Sequence, residues 1–220
     1  MEQCNTQRLE ALRSYQNRRR YFATNPRLRR KAYVVVEARF SAPDGKEFRV
    51  LERGGSRSVE RRVFVPMLEI EQVNSRSPAR ESVDICRRNY AFDFREFDTT
   101  AHAYVFQVEP RTSNKYLFRG RIWVNADDFA IQRIEGELAQ RPSFWVRRTH
   151  FVHEYAKFGI FWFPVRNQTD VNLRFFGRST MGIDYFDYEW QPQVESGCGS
   201  SVVALQPLPL RVLPRQGFTP

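Results

Sequence analysis

The fold is decided by residues 115–140, KYLFRGRIWVNADDFAIQRIEGELAQ. In the first half of this stretch apolar and basic side chains alternate, which is the period of a half-buried antiparallel strand. Residues 125–128 are Asn, Ala, Asp and Asp; Asn and Asp bond to nearby backbone in tight turns, and a second alternating run follows them. The side chains expected on one face of the two strands are Tyr116, Phe118, Gly120, Ile122, Val124, Ile134, Gly136 and Leu138. We therefore predict a long β-hairpin.

Alternating segments of the same kind occur on both sides of this hairpin. Pro43-Asp44-Gly45 is a strong turn signal, and Phe48 and Val50 follow it on a return strand. Because parallel strands need helical crossovers, strands in close succession favour an antiparallel meander of nine or so strands, curled so that its concave face forms a groove. Besides this return strand, the predicted strands, the two of the 115–140 hairpin included, are 33–40, 90–97, 103–109, 115–125, 129–139, 144–157, 161–176 and 179–190.

Two helical segments are predicted outside the meander, near 5–20 and 58–74. Asn5 and Thr6 suit the start of the first, and Arg18–Arg20 would lie at its end, where cations favour the helix dipole. In the second, Pro66 interrupts a stripe of apolar residues and predicts a kink or two short helices. We expect both segments to cover the concave face, which makes the fold class α+β with mainly antiparallel β structure.

Composition limits the class of partner and the compartment. The net charge is +10 with a pI near 9.9, which attracts polyanions or simply forms a solvated basic face. Cys4, Cys86 and Cys198 are far apart and show no metal or redox spacing. No apolar run reaches the length of a membrane span, and no apolar signal-peptide region follows Met1. Either the protein is cytoplasmic or the numbering starts after a removed leader.

A single domain is expected over residues 1–192. Such a length buries a sizeable core. Residues 193–220 contain Pro207, Pro209, Pro214 and Pro220 and few charges, which predicts an extended or disordered tail.

Candidates for catalysis and metal binding are weak. His150 and His153 would point to opposite faces of a strand, and their spacing does not fit the HExxH metal motif. Asp127 and Asp128 lie in the predicted turn, where acids usually cap the backbone. No P-loop, GxSxG or GxGxxG motif is present. We therefore predict no enzymatic activity, no metal and no cofactor.

Aromatic residues form the one pattern that suggests a ligand. For any single ring an ordinary core under the helices is the simpler explanation, but together they offer more apolar surface than two short helices cover. Each buried CH₂ contributes roughly 0.8 kcal/mol, so a sixteen-carbon acyl chain offers on the order of 12 kcal/mol gross. The predicted ligand-binding groove is lined by Phe92, Phe94, Tyr104, Phe106, Tyr116, Phe118, Ile122 and Ile134.

Three segments resemble the outer-membrane lipoprotein-sorting family, the LolA-like superfamily of periplasmic carriers. They are RGRIWVNADDFAIQRIEGE in the hairpin, GIFWFP at 159–164 and MGIDYFDYEW at 181–190. The resemblance covers roughly residues 5–190. It implies an unclosed, strongly curved β-barrel, or half-barrel, with helices over the hollow. It also implies binding of acyl chains of a lipid or lipoprotein in the periplasm or cell envelope, as carrier or sensor.

The alternative from another class is a basic nucleic-acid-binding module. It is suggested by the charge and the abundant aromatics, and it requires exposed rings beside Lys and Arg. Because rings and charges alternate across opposite faces, we favour the lipid hypothesis and expect no specific nucleic acid. Arg18–Arg20 or Arg27–Arg30 at the rim would then meet acidic headgroups or an anionic membrane surface.

Overall fold

The computed structural model describes residues 1–42, 44–75, 84–112, 114, 116–140, 144 and 146–192. The tail at 193–220, including Cys198, lies outside the described residues, so the predicted division into domain and tail stays a prediction.

Ten strands and a few short helices make up the described structure. The helices are α1 (Glu2–Glu10), α2 (Arg57–Val59) and α3 (Val65–Asn74), with a π-helical stretch (Glu60–Phe64) joining the last two. We call residues 57–74 the cover segment. The strands are β1 (Leu12–Asn25), β2 (Arg30–Ser41), β3 (Gly45–Gly55), β4 (Tyr90–Asp98), β5 (Ala103–Pro110), β6 (Phe118–Asn125), β7 (Ile131–Leu138), β8 (Val146–Phe158), β9 (Phe161–Leu173) and β10 (Gly177–Pro192).

All ten strands belong to one antiparallel sheet. Its order is β3-β2-β1-β10-β9-β8-β7-β6-β5-β4, so every two neighbouring strands of the sheet are consecutive in sequence except β1 and β10. Strands β3 and β4 are the two edges and do not pair with each other, which leaves the barrel unclosed. The predicted α+β half-barrel is confirmed.

The hairpin at 115–140 forms as predicted, with one boundary moved. Strands β6 and β7 pair from Phe118–Leu138 to Val124–Ile131 around the turn. Tyr116 precedes β6 in a turn instead of lying on the strand. Gly120 and Gly136 face each other, and a Cβ on Gly120 would lie 2.1 Å from the carbonyl oxygen of Glu135. Only glycine permits this close approach of the two backbones.

The first predicted helix is wrong over most of its length. It ends at Glu10, and residues 12–25 form the central strand β1 instead. Arg18–Arg20 therefore do not end a helix: Arg18 and Arg20 lie on the convex face, and Arg19 points into the molecule. The strand predicted at 161–176 also ends earlier, at Leu173, because a turn at residues 174–176 leads into β10.

The second predicted helix is confirmed, together with its interruption. Pro66 lies in the first turn of α3, where its missing N–H is tolerated, directly after the π-helical stretch. Phe64 is buried against Tyr21, Val34 and Val36 on the concave side of the sheet, so the cover segment packs over β1 and β2. Among the described residues, no helix has the length and apolar character needed to span a bilayer.

Candidate functional site

A cavity of about 570 Å³ lies between the concave face of the sheet and the helices α1 and α3. Its floor comes from β1, β2, β7, β8 and β9, and helix α1 contributes polar side chains at one side. The apolar lining residues are Leu12, Tyr15, Phe40, Ile85, Ala130, Ile131, Ile134, Tyr155, Phe161, Trp162, Phe163 and Pro164. The polar ones are Glu2, Asn5, Thr6, Arg8, Lys46, Glu71, Ser75 and Asp84, with Cys86 among them. The cavity therefore has an apolar floor and a polar rim.

Stacked aromatic rings form one wall of this cavity. The ring centroids of Phe163 and Tyr188 are 4.7 Å apart with planes 10° from parallel, and Tyr15 stacks on Phe40 at 5.3 Å. Phe161 stacks on Phe163 at 5.9 Å. Offset and tilted ring pairs of this kind stabilise by about 0.5–1.5 kcal/mol beyond their buried area. The wall is thus held in place without help from a ligand.

One carboxylate of helix α3 contacts three side chains of the sheet. Glu71 lies 2.7 Å from Arg19 Nη1 and 2.7 Å from Lys46 Nζ, and Tyr21 donates a hydrogen bond of 3.1 Å to its second oxygen. Burial alone would raise the pKa of Glu71, but the charges and hydrogen bonds of Lys46 and Arg19 outweigh it and lower the pKa to about 2. Glu71 is therefore ionised at neutral pH.

Arg19 is the buried end of this network. Its side chain is 1% exposed, yet it carries a full charge on the concave face of the central strand. Its guanidinium lies 5.4 Å from the ring centre of Phe48 and 5.1 Å from that of Tyr185, and its Nε donates to Asn17 Oδ1 at 3.1 Å. Burial would lower the pKa of Arg19, but Glu71 and the tyrosines raise it well above its usual value.

A smaller cavity of about 260 Å³ lies on the same face, nearer the opposite end of the strands. His153 lies in its wall, and its burial lowers the pKa to about 4, so the ring is neutral at pH 7. His150 lies on the other face of β8, with Nε2 at 3.4 Å from Glu135 Oε1, as the strand pattern predicts. The other lining residues are Tyr116, Phe118, Ile134, Leu138, Thr149, Phe151 and Thr169.

One of the two turn acids, Asp128, bonds to the turn backbone and to neighbouring side chains. Asp128 accepts a hydrogen bond from the Ala130 backbone at 3.2 Å and another from Trp162 Nε1 at 2.9 Å, and it lies 2.7 Å from Lys157 Nζ. These contacts tie the β6–β7 turn to the β8–β9 hairpin beside the larger cavity. Among the described residues, no group of three or more His, Cys, Asp or Glu is placed to hold a metal ion.

The predicted groove residues lie on the concave side of the sheet, but they differ in how far they are buried. Phe118, Ile122 and Ile134 are buried in a core cluster, with Phe92 and Phe106 packed against it. Phe94 and Tyr104 lie on the part of the face near β4, with 55% and 36% of their surface exposed. Ile134 is the member that lines the larger cavity, and Tyr116, Phe118 and Ile134 line the smaller one. Their role in binding stays a prediction.

Of the predicted groove residues, Ile134 alone lines the larger cavity, so sequence reasoning missed most of its lining. The helical pattern predicts Arg19 at a helix end, and no pattern in the sequence singles out Glu71 or the aromatic wall at Tyr15, Phe40 and Phe163. One signal pointed to it: GIFWFP at 159–164 was noted as part of the family resemblance, and it supplies Phe161, Trp162 and Phe163 to the lining.

The chain is similar to several solved structures, at low sequence identity. No protein-family model and no curated protein matches the chain. A LolA superfamily protein from Nitrosomonas europaea is 10% identical with a TM-score of 0.46, covering 82% of this chain and 87% of that chain. An outer membrane lipoprotein-sorting protein domain from Vibrio parahaemolyticus is 10% identical with a TM-score of 0.45, covering 88% and 93%. A DUF1329 family protein from Desulfovibrio piger is 11% identical with a TM-score of 0.41, covering 84% and 89%.

The first two of these structures carry the family name that the three sequence segments resemble, at 10% identity. What the chain binds has to be inferred from its own residues.

Proposed function

We propose that the protein binds an acyl chain, from a lipid or a lipidated protein, in the larger cavity between the sheet and the helices. The observation that carries the proposal is the cavity's form: about 570 Å³, with an aromatic and aliphatic floor and a polar rim. Small-molecule sites are typically about 300–1,000 Å³, mostly apolar, with few polar groups that fix orientation. An acyl chain matches the floor, and its polar head matches the rim.

The rim supplies both signs of charge to a polar head. Arg8 on α1 and Lys46 on β3 line the cavity, as do Glu2 and Glu71. Lys46 and Glu71 already pair with each other, whereas Arg8 donates to the Asp128 carbonyl at 2.9 Å and to Asn5 at 2.7 Å. Arg8 keeps further N–H groups, because a guanidinium carries five donors. It is the candidate for contact with a phosphate or carboxylate head.

The proposed role is that of a carrier or sensor in the cell envelope, without catalysis. The place in the envelope rests on the three sequence segments that resemble lipoprotein-sorting proteins. The absence of catalysis in this proposal rests on the structural contacts of Asp128, on the exposed pairing of Asp127 with His102, and on the separation of His150 from His153 by the sheet.

Retention of a fluorescent fatty acid by Ile131 variants tests the proposal. Ile131 is half-buried in the cavity wall, and Ile131→Trp should fill part of the space and weaken binding about tenfold or more. Ile160→Trp is the matched control, because Ile160 is 59% exposed and does not line the cavity. Circular dichroism establishes that both variants fold.

The dependence on salt concentration distinguishes acyl-chain binding from polyanion binding. Apolar burial survives salt, whereas phosphate contacts weaken steeply with it. We expect fatty-acid retention to persist at about 1 M salt, where the Debye length is about 3 Å. Wild-type protein that binds no apolar probe, or an Ile131→Trp variant that binds as tightly as the control, would contradict the proposal.

A further inference from the structure

One end of the sheet combines exposed apolar side chains with arginines. Two turns and Phe144, which lies two residues before β8, meet there, and we call their surface the basic tip. Its apolar side chains are 42–66% exposed, which is unusual for groups of this size that lie together. The basic tip consists of Arg27, Leu28 and Arg29 from the β1–β2 turn, Arg174, Phe175 and Phe176 from the β9–β10 turn, and Phe144.

Hydrogen bonds and packing hold the two turns of the basic tip together. Asn25 is buried, and its side-chain amide donates to the Phe176 carbonyl at 3.1 Å and to Ser179 Oγ at 2.7 Å. The guanidinium of Arg174 lies 4.2 Å from the ring centre of Phe144. These contacts place the two turns and Phe144 next to each other on one surface.

Positive charge surrounds the rings, and the nearby carboxylates are already paired. In the described part of this end, Glu60, Glu137 and Asp170 form ion pairs with Arg53, Arg148 and Arg178. The remaining basic side chains face solvent without a carboxylate in the described residues at ion-pair distance. Those flanking the tip are Arg30, Lys31, Arg57 and Arg147.

We propose that the basic tip docks the protein on an anionic phospholipid bilayer. Leu28, Phe175 and Phe176 would enter the boundary between headgroups and acyl chains, and the arginines would contact the lipid phosphates. Interfacial binding of soluble proteins depends on this combination of buried apolar area and attraction between basic groups and anionic lipid. Arginine suits it because its stem packs on apolar surface while its head reaches a phosphate.

The position of the smaller cavity fits this orientation. Thr149 and Thr169 line that cavity, and β8 and β9 continue from them to the pair Val146–Leu173, directly beside the tip. A bilayer touching the tip would therefore lie next to the smaller cavity. The docking itself does not depend on ligand binding in the larger cavity.

Co-sedimentation with vesicles tests the charge component. Vesicles of phosphatidylcholine with and without phosphatidylglycerol are compared, using the full chain at low and physiological salt. We expect binding to the anionic vesicles, weak binding to the neutral ones, and at least a tenfold loss of partitioning for Arg27→Glu with Arg174→Glu. The control is Arg39→Glu with Arg49→Glu, which makes the same change in net charge on the convex face.

A second pair of variants tests the apolar component. Phe175→Ser with Phe176→Ser should lower partitioning about tenfold, whereas Phe97→Ser with Phe129→Ser, exposed rings at the opposite end of the sheet, should leave it unchanged. Equal loss in the tip and control variants would overturn the proposal. So would equal binding to neutral vesicles, or binding of inorganic phosphate without any vesicle partitioning.

Nucleic acid is the competing polyanion for this surface. Should the tip variants lose retention of single-stranded DNA at physiological salt while vesicle partitioning stays unchanged, the surface serves nucleic acid and the membrane proposal is wrong. Fatty-acid retention measured on the same variants separates this result from the proposed function, because the tip residues do not line the larger cavity.

Discussion

Arg19 shows how a charged residue can lie inside an apolar sheet. The guanidinium has left water, and its charge is balanced by Glu71, by two aromatic rings and by Asn17. Removing one partner of a buried ion pair commonly costs about 3–5 kcal/mol, because the other charge is then buried alone. Replacing both partners by apolar groups costs far less.

The first prediction follows from this difference between removing one partner of the ion pair and replacing both. Glu71→Ala should lower the free energy of unfolding by about 3 kcal/mol, near the lower limit for a buried pair because Glu71 keeps 27% exposure. The double variant Arg19→Met with Glu71→Ala should recover most of the loss. Urea denaturation at pH 7 measures both. A double variant less stable than the single one would mean that Arg19 is held by its rings and Asn17 and not by Glu71.

His153 gives the second prediction at this scale, a dependence of stability on pH. Its folded pKa of about 4 lies below the ordinary value of 6.5, so the unfolded chain binds the proton more readily. Stability from this residue is complete above pH 6.5 and is lost as pH falls toward 4. At 1.36 kcal/mol per pKa unit, the loss amounts to about 3 kcal/mol.

His153→Phe is the variant that isolates this effect. It keeps an aromatic ring beside Phe151 and removes the titrating group. Thermal unfolding followed from pH 7 to pH 4 should show a smaller fall in stability for the variant than for the wild type. Identical pH profiles would mean that folding does not lower the pKa of His153.

At the scale of the element, β1 explains what sequence reasoning gets right and wrong. The hairpin at 115–140 is predictable because its inward positions are apolar and its turn residues are typical. In β1 the inward positions include Asn17 and Arg19, so the period of two is hidden and the segment looks like a polar helix end. Only the tertiary partners on α3, β3 and β10 reveal why these side chains are inside.

For a single element, we predict how the charge of Glu71 affects the opening of the cover segment. Glu71→Gln removes the charge that joins α3 to Arg19 and Lys46, so α3 should open more often. Hydrogen–deuterium exchange at fixed pH should speed up in α3 and stay unchanged in β6 and β7. Glu69→Gln is the control, since Glu69 is exposed on the same helix. Equal protection of α3 in both variants would show that apolar packing around Phe64 and Met67 alone holds the segment.

At the scale of the whole molecule, the presence of a hollow is predictable and its position is not. A long curved antiparallel sheet with helices on one face implies a groove. Which part of the concave face stays open depends on where the helices lie. The alternation of apolar and polar residues along a strand does not predict the positions of the helices. Phe118 and Ile122 fill a packed core, whereas the open volume lies beside Tyr15, Phe161 and Phe163.

The most direct test of the account is to locate a bound acyl chain. Isoleucine methyl groups are labelled, and a fatty acid with a spin label on its chain is added; the label broadens the signals of nearby methyl groups. We predict the strongest broadening for Ile85, Ile131 and Ile134, which line the larger cavity, and clearly weaker broadening for Ile70 and Ile160, which are exposed. Broadening of Ile70 or Ile160 alone, or no broadening at saturating fatty acid, would contradict the account.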